Sequence, residues 1–186
     1  MALIPDQDRR RLVAVAQAAL EAAVRGMGAP ELPRDLTAAA SGVFVSVYCG
    51  GDLRGCLGTL EISESLSAVV GRLAADASHR DQRFAPIVPH ELRDVTVEIS
   101  VLTMPELVGD PDSIEVGRDG LIVEQGSRRG LLLPQVAVEH EWDRLMFLAQ
   151  TCVKAGLRPD AWRQGATIWR FRAEVFGGTL SVEVES

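Results

Sequence analysis

From residue 95 to 101 the chain alternates without a break: Val95, Val97, Ile99 and Val101 on one side, Thr96, Glu98 and Ser100 on the other. A period of two with β-branched residues on one side predicts a strand that buries one face. Further extended segments follow from alternation and turn residues at 43–49, 53–60, 121–125, 130–133 and 167–176. Helical spacing of apolar residues predicts helices over 7–25, 65–78 and 142–155. Asp6 is expected to cap the first and Gly26 to stop it, and Gly156 closes the last. Neighbouring strands lie close in sequence and the helices interrupt them irregularly. That order predicts an α+β fold, largely antiparallel, with about three main helices. The order strand, strand, helix occurs early and late, which suggests two similar lobes.

The composition agrees with a folded, soluble chain. Hydrophobic residues make up 47% and charged residues 24% of 186 residues, which excludes disorder. The length fits one domain, and folding at this size buries roughly 70% of the unfolded surface, so no metal or disulfide staple is needed. The net charge of −7 disfavours a nucleic-acid surface and an anionic membrane. The uncharged run 36–51 is too short and polar to span a bilayer, and the N-terminus does not read as a signal peptide. Cys49, Cys56 and Cys152 are an odd number without CxxC spacing, as expected in a reducing cytosol. A cytoplasmic location is the expectation.

Several familiar chemistries are missing. No GxxxxGK(S/T), GxGxxG or GxSxG occurs at the position each would need. His79, His90 and His140 lie apart from one another and from any cysteine at ligand spacing, so no metal site is expected. No cofactor is evident.

One dense segment remains, Leu53-Arg54-Gly55-Cys56-Leu57-Gly58-Thr59. Glycines inside a strand mark a bulge or a close approach. Arg54 and Cys56 are two apart and share a face on an extended strand, where a guanidinium would stabilise a thiolate. A three-residue turn, 50–52, would put Ser46, Tyr48, Arg54 and Cys56 on one face and Val43, Val45, Val47, Leu53 and Leu57 on the other. Cys49 and Cys152 read as structural, and Cys56 could equally fill space in a core, as free cysteines often do. The cluster 79–84 reads either as a solvated helix end or as an anion clamp through Arg83. Pro134 must stop a strand, and Gln135 either faces a pocket or caps a turn.

Together these pieces resemble the AMMECR domain family, known in prokaryotes as AmmeMemoRadiSam system protein A. The matching segments are LRGCLGTLE (53–61), DQRFAPI (81–87), VTVEISVL (95–102), DGLIVEQGSRRGLLLPQV (119–136), KAGLRPDAW (154–162) and WRFRAEVF (169–176). They run in order over nearly the whole chain, and the LRGC hallmark is intact. Gln82 stands where the family more often has Pro, and Ala137 where many members have Trp. The resemblance implies one AMMECR-type domain, 1–186, with two lobes flanking a cleft near the LRGC segment. It implies association with Memo-like and radical SAM proteins, without naming a reaction. It raises Arg54 and Cys56 as site residues. Ser46, Tyr48, Gly55, Gly58, Arg83, Pro134 and Gln135 are candidates for a cleft that takes a small-molecule ligand. Two functions compete: an enzyme or enzyme component using a Cys56 thiolate, and a non-catalytic ligand- or protein-binding module in which Cys56 is packing.

Overall fold

A computed structural model describes residues 4–33, 35–36 and 39–180. The chain divides into two compact units, Met1–Val101 with Glu174–Ser186, and Leu102–Ala173. The fold is α+β with antiparallel strand pairing, and among the described residues three helices exceed six residues, in accord with the sequence. Among the described residues no helix is long and apolar enough to cross a membrane.

In the first unit, helix α1 (Asp6–Val24) precedes strands β1 (Ala40–Cys49) and β2 (Asp52–Thr59), helix α2 (Leu66–Ala77) and strand β3 (Val95–Thr103). The last strand of the chain, β7 (Thr167–Thr179), supplies its final residues here, and the strand order is β2-β1-β3-β7. Val43, Val45 and Val47 of β1 and Val95, Val97, Ile99 and Val101 of β3 are fully buried, clustered with Leu12, Val15, Leu20, Val69, Val70 and Leu73 of the two helices. At about 1.5–3 kcal/mol for each such side chain removed from water, this face is the main stabilising term of the unit.

The helix ends follow local chemistry. Ser65 caps α2 by accepting from the Ala68 N–H at 3.3 Å. Gly26, at φ 66°, lets the chain turn back after α1, with Gly26 N–H on Ala23 O and Met27 N–H on Ala22 O. Asp6 corrects an expectation. It is the first residue of α1 and the cap position is Pro5, which has no side-chain donor or acceptor. Asp6 and Asp8 instead place negative charge in the first turn, where the helix dipole favours it.

The β1–β2 hairpin also departs from expectation, in an informative way. Cys49 pairs with Asp52, so the turn is the two-residue Gly50-Gly51, with both residues at positive φ, 59° and 93°. Tyr48 pairs with Leu53, yet Val47 pairs with Gly55. Arg54 is thus the extra residue of a β-bulge. The bulge restores, from Gly55 onward, the register that a three-residue turn would have given: Ser46 opposite Cys56 and Val45 opposite Leu57.

The second unit is built on the β5 (Asp119–Gln125) and β6 (Arg128–Leu132) hairpin. Residues 167–172 of β7 pair antiparallel with β5, and the short strand β4 (Glu106–Leu107) pairs with β7. Helices α3 (Pro134–Glu139) and α4 (Arg144–Lys154) supply Ala137, Phe147, Leu148 and Cys152 to a core with Leu121, Val123 and Ile168. Asp143 caps α4 by accepting from the Met146 N–H at 2.7 Å, and Gly156 ends it at φ 71°.

Gly55 is where the hairpin and α2 meet most closely. A Cβ there would lie 2.0 Å from the Ala77 carbonyl oxygen. Backbone cannot swing aside as a side-chain tip can, so even Ala overpacks the site, typically at about 1–3 kcal/mol. Thermal melts of Gly55→Ala are expected to fall by several degrees. Gly28→Ala, at a position with nothing within 4 Å, is the control expected to melt near wild type. Equal melting temperatures would contradict the close approach.

Candidate functional site

The bulge and the glycines place Cys56 on the face of β2 opposite the core, half-buried, with Ser46 of β1 as its partner across the ladder. Ser46 Oγ donates to Cys56 Sγ at 3.3 Å. The segment after α2 comes over the same strand. Asp81, 7% exposed, accepts the Cys56 backbone N–H on Oδ2 at 2.9 Å. The Arg83 guanidinium holds that carboxylate from two sides, Nε on Oδ1 at 2.9 Å and Nη2 on Oδ2 at 2.6 Å, while the Arg83 N–H donates to Oδ1 at 3.2 Å. Arg83 Nη2 also reaches the Cys56 carbonyl at 3.3 Å. The backbone of Cys56 is therefore gripped at its donor by Asp81 and at its acceptor by Arg83.

This geometry decides between the two readings of the 79–84 cluster. His79 and Arg80 are exposed, as at a solvated helix end. Arg83 is a clamp, and the anion that it clamps is the chain's own Asp81. The bidentate Arg83 fork, with the Cys56 and Arg83 backbone donors behind it, holds the Asp81 carboxyl far below the usual carboxylate range despite the opposing effect of burial.

Arg54 is engaged elsewhere than expected. Its Nη1 pairs with Glu91 Oε1, its Nη2 lies 3.5 Å from Oε2, and Nη2 donates to the Ala85 carbonyl at 3.3 Å. Arg54, followed by the Val88 N–H at 3.0 Å, holds the Glu91 carboxyl below its ordinary value. The guanidinium that reaches Cys56 is that of Arg83, and it does so at the backbone carbonyl. Burial, and then the Glu91 charge, push the Cys49 thiol up, and burial pushes up Cys152.

Tyr48 donates to Glu98 Oε1 at 3.5 Å, and desolvation, then the Glu98 charge, raise its phenol. Gly58 lies under Phe44, whose ring a Cβ would meet at 2.1 Å. The first unit thus brings together Ser46, Tyr48, Arg54, Gly55, Cys56, Gly58 and Arg83. Pro134 and Gln135 belong to the second unit, where Pro134 is buried at the start of α3 and Gln135 is exposed. Pro134 ends the strand by opening a short helix. Three acidic residues, Asp81, Glu91 and Glu98, were not singled out from sequence. Asp81 sits inside DQRFAPI, and Glu98 occupies the polar side of the most regular strand, so both had a signal. Glu91 had none. Among the described residues no group of three or more His, Cys, Asp or Glu is placed to hold a metal ion.

A model of the AMMECR1 family matches residues 13–176. A protein of Methanothermobacter thermautotrophicus is 45% identical over 90% of this chain and 92% of its own length. One of Thermococcus kodakarensis is 45% identical over 93% of this chain and 91% of its own. The crystal structure of an uncharacterized protein from Pyrococcus horikoshii superposes with a TM-score of 0.77 at 39% identity, covering 95% of this chain and 94% of that one.

The Asp81 clamp gives a stability that depends on pH with a defined sign. A carboxyl depressed by folding stabilises the fold fully above its unfolded value, near 4, and the contribution is lost as the pH falls below that. Asp81→Asn is expected to cost about 1–3 kcal/mol at neutral pH, toward the lower end because the Arg83 side chain is 61% exposed and screened. Urea unfolding of both proteins at about pH 7 and about pH 3 tests it. The gap narrows in acid, and a gap that stays constant or widens contradicts the clamp.

Proposed function

The chain belongs to the AMMECR1 family, and from that premise we propose that it is an enzyme, or a component of one, whose reacting group is the Cys56 thiol. Its substrate is a small or modified molecule, and its pathway is linked to Memo-like and radical SAM proteins. The pathway and partners rest on the sequence resemblance alone. The thiol rests on one observation: a half-buried sulfur on a strand gripped at its own N–H by a buried carboxylate and at its own carbonyl by a guanidinium. A thiolate is the nucleophilic form of cysteine, and a neighbouring guanidinium favours it. Arg83, whose Nη2 reaches the Cys56 carbonyl at 3.3 Å while it pairs with Asp81, is the guanidinium proposed for that role. Arg54 holds Glu91 and with it the loop beside the hairpin, while Ser46, Tyr48, Gly55 and Gly58 shape the surface around the sulfur. Pro134 and Gln135 are proposed for the ligand cleft on resemblance alone.

The competing reading, a non-catalytic ligand- or protein-binding module with a structural Cys56, is favoured by one observation. Glu91 occupies the Arg54 guanidinium, so the cation expected to activate the thiol is already balanced.

Iodoacetamide labelling with site mapping separates the two. Cys56 is expected to be carbamidomethylated first at neutral pH, ahead of Cys49 and Cys152, whose thiols burial disfavours as thiolates. Arg83→Ala is expected to slow Cys56 labelling, while Arg54→Ala leaves it near the wild-type rate. Labelling of Cys49 or Cys152 first would overturn the enzymatic reading in favour of the module.

A further inference from the structure

Helix α4 of the second unit carries no charge between its two end residues, Arg144 and Lys154. Phe147, Leu148, Thr151 and Cys152 fill its core side. The opposite side holds Leu145, Ala149 and Val153, each four residues from the next and so neighbours on the helix surface, with Met146 beside them. Leu145, Met146 and Val153 are 47%, 45% and 48% exposed. Gln150, the polar residue on that side, turns its amide back onto Met146 Sδ at 3.7 Å. A helix that is apolar on both sides is normally buried, and a surface helix is polar on its outer side. In α4 the outer side is apolar and nothing in the chain covers it.

The two ends of this face differ in charge. Asp143, the cap, stands exposed at the N-terminal end, and Lys154, the chain's single lysine, stands exposed at the other. Arg144 is paired with Asp112 and Arg158 with Asp160, whereas Asp143 and Lys154 have no salt bridge among the described residues. Eleven residues at 3.6 per turn bring Asp143 and Lys154 to within about 20° of each other around the axis, on the Met146 side of the stripe. A cap and a C-terminal cation are ordinary helix chemistry. The uncharged outer face between them is not.

We propose that the outer face of α4 packs on the same face of a second copy of this chain, with the two helices antiparallel about a two-fold axis. Ala149 lies at the crossing, where a small side chain lets the helices approach. Leu145 meets the partner's Val153, and Asp143 stands beside the partner's Lys154. A two-fold contact requires a patch complementary to itself. Opposite charges at the two ends, on one side of an apolar stripe, meet that requirement, and a rim of one sign would not. An unrelated apolar peptide would cover the stripe but has no need of the opposed ends. The face is small: α4 is about 16 Å long, short of the roughly 800 Å² per partner of a standard interface. The dimer is therefore weak, with a dissociation constant in the micromolar range or above. Nothing in this inference depends on the reading of Cys56.

Analytical ultracentrifugation of the full chain from about 1 µM to about 1 mM tests it. The average mass is expected to rise from that of one chain toward that of two. Ala149→Glu sets two like charges face to face at the axis and is expected to hold the mass at one chain. Lys154→Glu and Asp143→Lys each bring like charges together at the ends, and each is expected to weaken association roughly tenfold. Their equimolar mixture restores both opposite pairs and is expected to recover the wild-type association. Melting temperatures check that each variant folds. A cross-link to wild type gives a second reading, should Asp143→Lys fail without its cap. A carbodiimide activates a carboxyl group, and a lysine amine displaces the urea to form an amide with no spacer. Asp143 and Lys154 of one chain lie about 16 Å apart along α4, so an amide between them joins two chains. That product is expected in wild type and not in Ala149→Glu. A mass that stays at one chain over the whole range overturns the proposal. So does a dimer that survives Ala149→Glu, or one that yields no link between 143 and 154.

Discussion

A buried carboxylate that accepts a backbone N–H from one element and a bidentate guanidinium from its own loop ties the two together more firmly than either contact would. Asp81 does this between β2 and the segment that leaves α2. Ionised, it is an acceptor with several lone pairs, and four donor contacts fill them: the Cys56 N–H, the Arg83 N–H, and two guanidinium nitrogens. Without those donors the burial of a charge at this position would be strongly unfavourable. With them the charge is held, and it sets where the Cys56 backbone stands relative to the loop. The reach of Arg83 to the Cys56 carbonyl follows from that attachment.

The bulge at Arg54 solves a conflict that is visible in the sequence only in part. Gly50-Gly51 suits a two-residue turn, because both residues must take positive φ. The apolar pattern of β1 and β2, by contrast, fits an odd-length turn. A three-residue turn, 50–52, would satisfy the pattern alone. The protein resolves it by keeping the short turn and inserting Arg54 as an unpaired residue. The face assignment for Ser46 and Cys56 was therefore legible, and the device that produces it was not. The same holds for Arg54. Its place beside Cys56 in sequence suggested a partnership, but a bulged residue is not bound to its neighbours' pleat, and its guanidinium reaches Glu91.

The strands and the three longer helices were legible because period and caps agree with burial: Val95, Val97, Ile99 and Val101 are each fully buried. The acidic partners were not. Glu91 and Glu98 meet a guanidinium and a hydroxyl across 37 and 50 positions of chain, and Asp81, though two residues from Arg83, meets the Cys56 N–H across 25. Local pattern carries no record of such meetings. It carries only the possibility, as with Glu98 on the wet side of a regular strand.

Each unit contains a strand glycine pressed against the end of the next long helix after its hairpin: Gly55 on the Ala77 carbonyl, and Gly130 on the Ala155 backbone nitrogen. Both contacts close within a hairpin and its next long helix, at modest chain separation. The link between Ile4 and Glu174, by contrast, joins residues 170 positions apart. Loop-closure entropy makes near contacts cheaper to form than distant ones. Each hairpin and its next long helix can close as a local contact while the chain is still open, and the Ile4–Glu174 link carries the larger closure cost.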